Sequence, residues 1–333
     1  MNIQLRKLVF GVLSGIGGIC GVCGFLGTAF AQTPQLPPIF QNVPMALLPA
    51  RTVAELPPMT FLENLVFDRQ GRAYVTSHED GTLYRYSADG RLQTFARVPG
   101  KATGIALHPS KGLLVSGADA SGQATVFAVS RAGRASVVGT LPDAIFLNGL
   151  AQLDADIYLI ADSYKGVVWR FNASNGQSTQ WLAHPLLSRA DTNNPIPAAN
   201  GLKIRQRTVW VSNTARQTLL AIPVLASGAA GVPRVVKDQV NVDDFAIDDD
   251  GTVYGTTHVY NSLIRLAPDG TLTTVAMAEQ GMTGSTAVAF GRAQGDRRRL
   301  YVTTNGGMFL PPPSGVGPAR LVQVDAAQRT PSP

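Results

Sequence analysis

The sequence has no cysteine beyond residue 23, since its only two cysteines are Cys20 and Cys23. The rest of the chain can therefore form no disulfide, and it has no thiol to act as a nucleophile or to bind zinc. Charged residues are also scarce, at 15% of the chain, where soluble domains average roughly 25%. Low charge together with 34 glycines and 22 prolines is typical of many short strands joined by turns, and it argues against disorder.

Basic clusters that could bind nucleic acid are missing as well. The formal net charge is +6, and two of these positive charges, on Arg6 and Lys7, belong to an N-terminal segment with its own character. The longest basic run covers residues 297–299, and no aromatic residues are interleaved with it. We interpret this run as a solvated loop and expect no nucleic-acid partner.

Residues 1–31 have the pattern of a secretory signal peptide. They combine a basic start, an apolar stretch over residues 8–27 and the triplet "AFA" at 29–31, which fits an A-x-A cleavage site. An uncleaved anchor is the alternative, since about 20 apolar residues can span a bilayer. The cleavage-like end favours the signal, which predicts a periplasmic or secreted protein that begins near Gln32 and has no membrane contact after cleavage.

A unit of about 43 residues recurs six times and predicts the fold. Each copy holds four short strands with alternating apolar positions, separated by Gly, Asp or Asn turns, as in "FLENLVFDRQGRAYVTSHEDGTLYRYSADGRLQTFARV" at 61–98. Such a unit is typical of a propeller blade. The sequence therefore predicts an all-β protein, a six-bladed β-propeller with four antiparallel strands per blade. The six copies begin near Phe61, Thr103, Phe146, Ala199, Val242 and Ser285.

The ring is predicted to close with an N-terminal strand. "RTVAELP" at 51–57 reads as a spare fourth strand, whereas the last copy runs out soon after "ARLVQVD" at 319–325; pairing the two avoids a bare strand edge. The predicted organisation is a signal peptide at 1–31, a Pro-rich extended lead-in at 32–50, a single propeller domain at 51–325 and a disordered tail at 326–333. We expect a monomer.

Two long loops are predicted to cover one end of the propeller. The first is an insertion at 183–198, before the fourth copy, and the second, at 305–319, joins the second and third strands of the sixth copy. Loops in these positions lie at the end of the ring where each innermost strand begins, so they could wall a pocket there.

The residue that enters each innermost strand points toward the central channel of a propeller. Four of these residues carry oxygen ligands and none is Cys or His: Glu63, Asn148, Asn200 and Asp243. This set is typical of a hard divalent cation, with Ca²⁺ as the first candidate and Mg²⁺ or Mn²⁺ as alternatives; Zn²⁺ comes last because it favours nitrogen and sulfur. Asn-Gly at 148 and at 200 is also the signal of a hairpin turn, but its repetition at equivalent positions favours a site.

The motifs around these four residues resemble those of a known family. "LENLVFD", "LNGLA", "ANGLKI" and "VDDFAID" are similar to the motifs that supply a Glu, two Asn and an Asp to one divalent cation in the senescence marker protein 30, gluconolactonase and luciferin-regenerating enzyme family of six-bladed propellers. The sequence departs from that pattern at Asn64 and at Asp244, where the family has glycine. Asp244 is therefore an alternative to Asp243 as the carboxylate ligand. We favour Asp243, because Asp243 precedes Asp248 by the same spacing by which Glu63 precedes Asp68.

The resemblance implies a metal-dependent hydrolase acting on a small cyclic ester, a lactone. The cation would polarise the carbonyl, and Asp243, which corresponds to the family's Asp ligand, would activate water. No rival nucleophile motif, such as G-x-S-x-G, a P-loop or a dinucleotide fingerprint, is present. Five polar residues in loops at the channel end are predicted to contact substrate, with turn capping as the alternative for each: His78, Asp162, Asn213, His258 and Asn305.

Two other classes of propeller remain as alternatives. One is a non-catalytic binding propeller, as formed by NHL-type repeats, which would act without a metal. The other is a strictosidine-synthase-like enzyme, which shares the fold but uses an acidic residue without a bound metal. The four oxygen ligands favour the lactonase.

Overall fold

A computed structural model describes residues 36–326, of which residues 38–326 belong to one compact unit. The predicted signal peptide lies outside the described residues, as does the predicted tail after residue 326. Among the described residues, no helix combines the length and apolar character needed to cross a membrane.

The six-bladed propeller predicted from the repeat is confirmed, with four antiparallel strands in each blade. The innermost strands are β2 (Leu62–Phe67), β6 (Gly100–His108), β10 (Leu147–Asp154), β14 (Ala199–Arg205), β18 (Phe245–Ile247) and β22 (Ser285–Phe290). The second strands are β3 (Ala73–Ser77), β7 (Gly112–Asp119), β11 (Ile157–Asp162), β15 (Thr208–Asn213), β19 (Val253–Thr256) and β23 (Arg299–Thr304). The third strands are β4 (Thr82–Tyr86), β8 (Ala124–Val129), β12 (Val167–Asn172), β16 (Thr218–Pro223), β20 (Leu263–Leu266) and β24 (Pro318–Asp325). The outermost strands are β5 (Leu92–Arg97), β9 (Ala135–Thr140), β13 (Ser178–Ala183), β17 (Arg234–Lys237), β21 (Leu272–Ala276) and β1 (Ala50–Pro58).

Burial follows the position of each strand in its blade. Strand β3 is buried along its whole length, whereas β5, outermost in the same blade, buries one residue of six. The apolar side chains pack between neighbouring blades: Leu114 of blade 2 and Tyr158 of blade 3 share one cluster, and the Tyr158 hydroxyl donates to the carbonyl of Leu107, 2.8 Å away. Removing these faces from water is the main driving force for such a ring.

Ring closure by the N-terminal strand is also confirmed. Strand β1 pairs antiparallel with β24, with Thr52 opposite Val322 and Leu56 opposite Ala319. The residues just before it lie along β21 of blade 5, where the amide of Leu48 donates to Val275 and its side chain is buried. The start of the chain therefore connects blades 5 and 6.

The two long loops lie where the repeat places them. Residues 184–198 connect β13 to β14 and contain a 3₁₀ turn at Pro185–Leu187, which is capped by the ring of His184. Residues 305–317 connect β23 to β24. A second 3₁₀ turn, Ala278–Gln280, follows β21.

Candidate metal centre and active site

Three of the four predicted ligands lie at irregularities of the innermost strands, whereas Asp243 lies in the bend just before β18. In five of the six blades the pairing of the first and second strands shifts register at this position, for example between Leu147 and Leu150 of β10 and between Ala199 and Leu202 of β14. A β-bulge re-aims the side chains within it. Asn148 and Asn200 therefore lie inside strands, and the structure excludes the hairpin-turn alternative for both Asn-Gly pairs.

The glycines in these pairs are required by close contact between blades. A Cβ on Gly149 would overlap the carbonyl oxygen of Asn200 in the next blade, and one on Gly201 would lie 2.8 Å from the carbonyl oxygen of Asp243. Neither glycine has a positive φ. The Asn-Gly signal thus has a packing cause here: glycine allows the next inner strand to approach, and the asparagine side chain stays near the axis.

Hydroxyl groups of the second strands fix the backbone at the channel. Four of them donate to the carbonyl of the channel residue in the next blade, at distances of 2.7 Å: Thr76 to Thr103, Ser116 to Asn148, Ser212 to Asp243 and Thr256 to Thr286. Sequence reasoning missed these contacts. Their signal was visible as a Ser or Thr near the end of each of these strands, in "YVTS", "LVSG", "WVSN" and "YGTT".

Asp243 is the centre of a polar network formed by three blades. Its Oδ1 accepts a hydrogen bond from the side-chain amide of Asn200, and its Oδ2 lies 3.1 Å from Nδ1 of His258. Nε2 of His258 lies 2.8 Å from the side-chain amide of Asn305. This geometry suits a tautomer in which Nδ1–H donates to Asp243 and Nε2 accepts from Asn305.

Asp244 belongs to a separate interaction. Its Oδ2 lies 2.7 Å from the Lys203 ammonium on β14, whereas its Oδ1 is buried without a partner among the described residues. Burial raises the pKa of Asp244, and Lys203 partly opposes this effect. Of the two adjacent carboxylates, Asp243 is therefore the one that contacts Asn200, the channel residue of the preceding blade.

Glu63 faces the same region from blade 1, which only blade 6 separates from blade 5. Burial raises its pKa well above its ordinary value, and the nearby charges of Asp243 and Asp244 raise it further. Blades 1 and 5 are not neighbours, so this repulsion acts across the channel. Among residues 36–326 no group donates a hydrogen bond to the Glu63 carboxylate, and the buried side-chain amide of Asn148 has no hydrogen-bond partner either.

The predicted ligands fit a hard cation. Two carboxylates and two amides occupy equivalent positions of four blades, and a cation near Glu63 and Asp243 would relieve the repulsion that, together with burial, keeps the Glu63 pKa high. Within the described residues, no group of three or more His, Cys, Asp or Glu side chains is arranged for a metal ion. The candidate set needs no such group, because half of its donors are amide oxygens.

The five predicted substrate contacts separate into two groups. Asp162 and Asn213 are fully buried. The Asp162 carboxylate accepts from the backbone amides of Ile145, Phe146 and Lys165 and from the indole of Trp169, and the Asn213 amide donates to the carbonyls of Leu186 and Ser188. Both side chains hold loops in place, so the structure replaces the expected substrate contact with a structural role.

His78, His258 and Asn305 lie at the mouth of the channel. Burial lowers the pKa of His78 to about 4, and its Nδ1 has no partner among the described residues. His258 has a φ of 46°, a left-handed conformation that costs about 1–2 kcal/mol outside glycine. Such strain is found at functional sites. Asn305 is fully buried and acts through His258 and through the loop that follows it.

A cleft on the opposite end of blades 1 and 2 has a different character. It lies at the turns after β2 and β6 and is lined by Arg69, Arg72, Arg131 and Arg292. None of the channel residues contributes to it, so it is separate from the candidate metal centre.

The fold and the site together define a six-bladed propeller with an oxygen-lined channel. Residues 182–306 match the family model described as the SMP-30/Gluconolactonase/LRE-like region. The resemblance predicted from the motifs is therefore confirmed, and the matched part contains Asn200 and Asp243. No curated protein sequence gives a significant match.

Solved structures of three propellers are similar to this chain over most of its length. A luciferin-regenerating enzyme is 15% identical, with a TM-score of 0.65 over 84% of this chain and 96% of that chain. Regucalcin from Agrobacterium tumefaciens strain C58, described as a calcium-binding protein, is 17% identical, with a TM-score of 0.65 over 85% and 97%. A gluconolactonase from Xanthomonas campestris is 16% identical, with a TM-score of 0.61 over 83% and 89%. At these identities the likeness shows the shared fold.

Proposed function

We propose that this protein is a metal-dependent lactonase that opens a small cyclic ester. The observation that carries the proposal is the proximity of three of the four predicted ligands: the Asp243 carboxylate accepts from Asn200, and its charge raises the pKa of Glu63. Asn148 occupies the equivalent position of blade 3. Glu63 and Asn148 have no hydrogen-bond partner there within the described residues, so they are available to a ligand. The family match and the likeness to a gluconolactonase and to calcium-binding regucalcin support this reading.

Glu63, Asn148, Asn200 and Asp243 would hold the cation, for which Ca²⁺ is the first candidate. When bound, the cation supplies a Lewis acid for the carbonyl oxygen of the ester. The Asp243 carboxylate takes a proton from the water that adds to the carbonyl carbon. That proton then reaches the ring oxygen as the ring C–O bond breaks, which leaves a hydroxy acid. His258 orients Asp243 by donating from Nδ1 to Oδ2.

The test is turnover after metal removal. The purified protein is treated with a chelator and assayed on a panel of lactones, with Ca²⁺, Mg²⁺, Mn²⁺ or Zn²⁺ added back. We expect one cation to restore turnover, and we expect Asp243→Asn to lower kcat by about 100-fold or more, the typical contribution of an acid–base group. Asp119→Asn is the matched control, because Asp119 caps its own turn in the hairpin after β7.

Two outcomes would contradict the proposal: no lactone is hydrolysed with any cation, or Asp243→Asn keeps full turnover. An unchanged activity after chelation would favour the non-catalytic or metal-independent propellers.

We also propose, from residues 1–31, that the protein is secreted or periplasmic. Fractionation of cells that express the full chain tests this, and N-terminal sequencing would place the cleavage near Gln32.

A further inference from the structure

Six aromatic rings form an open series of contacts along the mouth of the channel, from Tyr164 at one end to His258 and Phe309 at the other. We call them the aromatic collar: Phe61, His78, Phe146, Tyr164, His258 and Phe309. Neighbouring rings in it have centroids 5.2 to 6.1 Å apart, and most pairs meet edge to face or tilted. These are the distances at which aromatic pairs attract each other.

The collar lies directly outside the candidate metal centre. Phe61 precedes Glu63 by two residues, and Phe146 precedes Asn148 by two residues, so both rings come from the same position of two blades. His258 belongs to the collar and also contacts Asp243. A substrate whose carbonyl reaches the channel must therefore place the rest of its atoms against these rings.

The collar offers few groups that could pair with hydroxyls. The Tyr164 hydroxyl donates to the carbonyl of Pro195, and Nε2 of His258 is taken by Asn305. Burial lowers the pKa of His78 to about 4, so this ring is uncharged at neutral pH. Apart from Asp243, the charges nearest to the collar already have partners: Arg189, 4.9 Å from the Tyr164 ring centroid, donates to the carbonyls of Asn194 and Tyr164, and Glu79, 3.5 Å from Nε2 of His78, pairs with Lys101 at 2.7 Å. Nδ1 of His78 has no partner among the described residues, but a ligand with several hydroxyls would still lose more hydrogen bonds to water here than it could form, which is unfavourable.

Phe309 marks the open side of the collar. Its side chain is 64% exposed, although its ring contacts both Phe61 and His258. The loop that carries it is held by Asn305, whose Oδ1 accepts from the amides of Gly307 and Met308. Two further exposed apolar residues, Ile145 and Ile196, lie on loops that enter blades 3 and 4 from the same end. Exposed apolar surface beside a polar site is typical of a ligand-binding surface.

From these contacts we infer that the aromatic collar binds the apolar part of the substrate, so that the lactone hydrolysed here carries an aromatic ring or an alkyl chain and not several hydroxyls. This inference rests on the proposed lactonase function. It assigns Phe309 and Phe61 to substrate selection, whereas the four oxygen ligands act on the ester group that all lactones share.

Paired substrates test the inference. The values of kcat/KM are measured for dihydrocoumarin, an alkyl-substituted δ-lactone and glucono-δ-lactone, on the wild type and on Phe309→Ser. We expect the two apolar lactones to be preferred over the sugar lactone, and we expect Phe309→Ser to lower that preference by about tenfold, mainly through KM. Val232→Ser is the control, because Val232 is also an exposed apolar residue, at 81%, and lies away from the collar in the loop between β16 and β17; it should leave the preference unchanged.

The outcomes separate this inference from the proposed function. A preference for the sugar lactone that Phe309→Ser does not change overturns the inference and leaves the lactonase intact. If no lactone is hydrolysed, calorimetric titration with α-tetralone, an aromatic ketone that cannot be hydrolysed, decides the matter. Binding that Phe309→Ser weakens about tenfold and Val232→Ser does not would support the collar, whereas absent or unchanged binding would overturn it.

Discussion

At the scale of single residues, His78 links the channel mouth to the pH dependence of stability. Its ring is buried beside Phe61 and Phe146, and burial lowers its pKa from about 6.5 to about 4. Between these values the unfolded chain binds a proton that the folded chain does not, so folding stability falls as the pH falls from 6.5 to 4. A shift between these two pKa values corresponds to a loss of about 3 kcal/mol in the free energy of unfolding at pH 4.

We predict that His78→Gln removes this part of the pH dependence. Denaturant unfolding of the wild type and of the variant is measured at pH 8, 7, 5.5 and 4. The difference in unfolding free energy between the two proteins should change little from pH 8 to 7, where His78 is mostly neutral in both states, and should then move in favour of the variant by up to ~3 kcal/mol at pH 4. Parallel curves over the whole range would contradict the prediction.

At the scale of structural elements, strand β1 closes the ring without supplying any candidate ligand. It covers the edge of β24, and Val53, Ala54 and Leu56 pack against the core between blades 6 and 1. We predict that a chain starting at residue 60 loses cooperative thermal unfolding and aggregates, because the bare edge of β24 can pair with other chains. A chain starting at residue 38 is the control. Similar melting curves and light scattering for both chains would contradict the prediction.

Much of this element order follows from the sequence, because the repeat spacing predicts each blade and the spare strand at 51–57 predicts the closure. Residues 44–48 were predicted only as part of an extended lead-in, and their pairing with β21 could not be foreseen. That contact depends on which outer strand lies nearby after the ring has closed. A Pro-rich stretch carries no such information.

The candidate site shows the same division between local and long-range information. Glu63, Asn148, Asn200 and Asp243 could be predicted as ligands because each occupies the same position of its repeat. The role of Asp162 could not be predicted in the same way, because the sequence "ADSYKG" fits a substrate site and a capped turn equally well. Only the fold shows the four donors around the Asp162 carboxylate. The aromatic collar was also missed. Its rings come from several blades and from a long loop, and no sequence pattern joins them.

At the scale of the whole molecule, the candidate metal centre depends on the closed ring, because its four ligands come from blades 1, 3, 4 and 5. A cation that binds only the folded state stabilises it, by about 2.7 kcal/mol when its concentration is 100 times Kd. We predict that Ca²⁺ raises the thermal unfolding midpoint of the wild type and of the control Asp119→Asn, but not that of Glu63→Gln or Asp243→Asn. The chain that starts at residue 60 keeps all four candidate ligands and should nevertheless show no Ca²⁺ effect, because loss of β1 removes the strand that joins blade 6 to blade 1 and closes the ring. Calcium stabilisation of that chain would mean that the ligands assemble without closure.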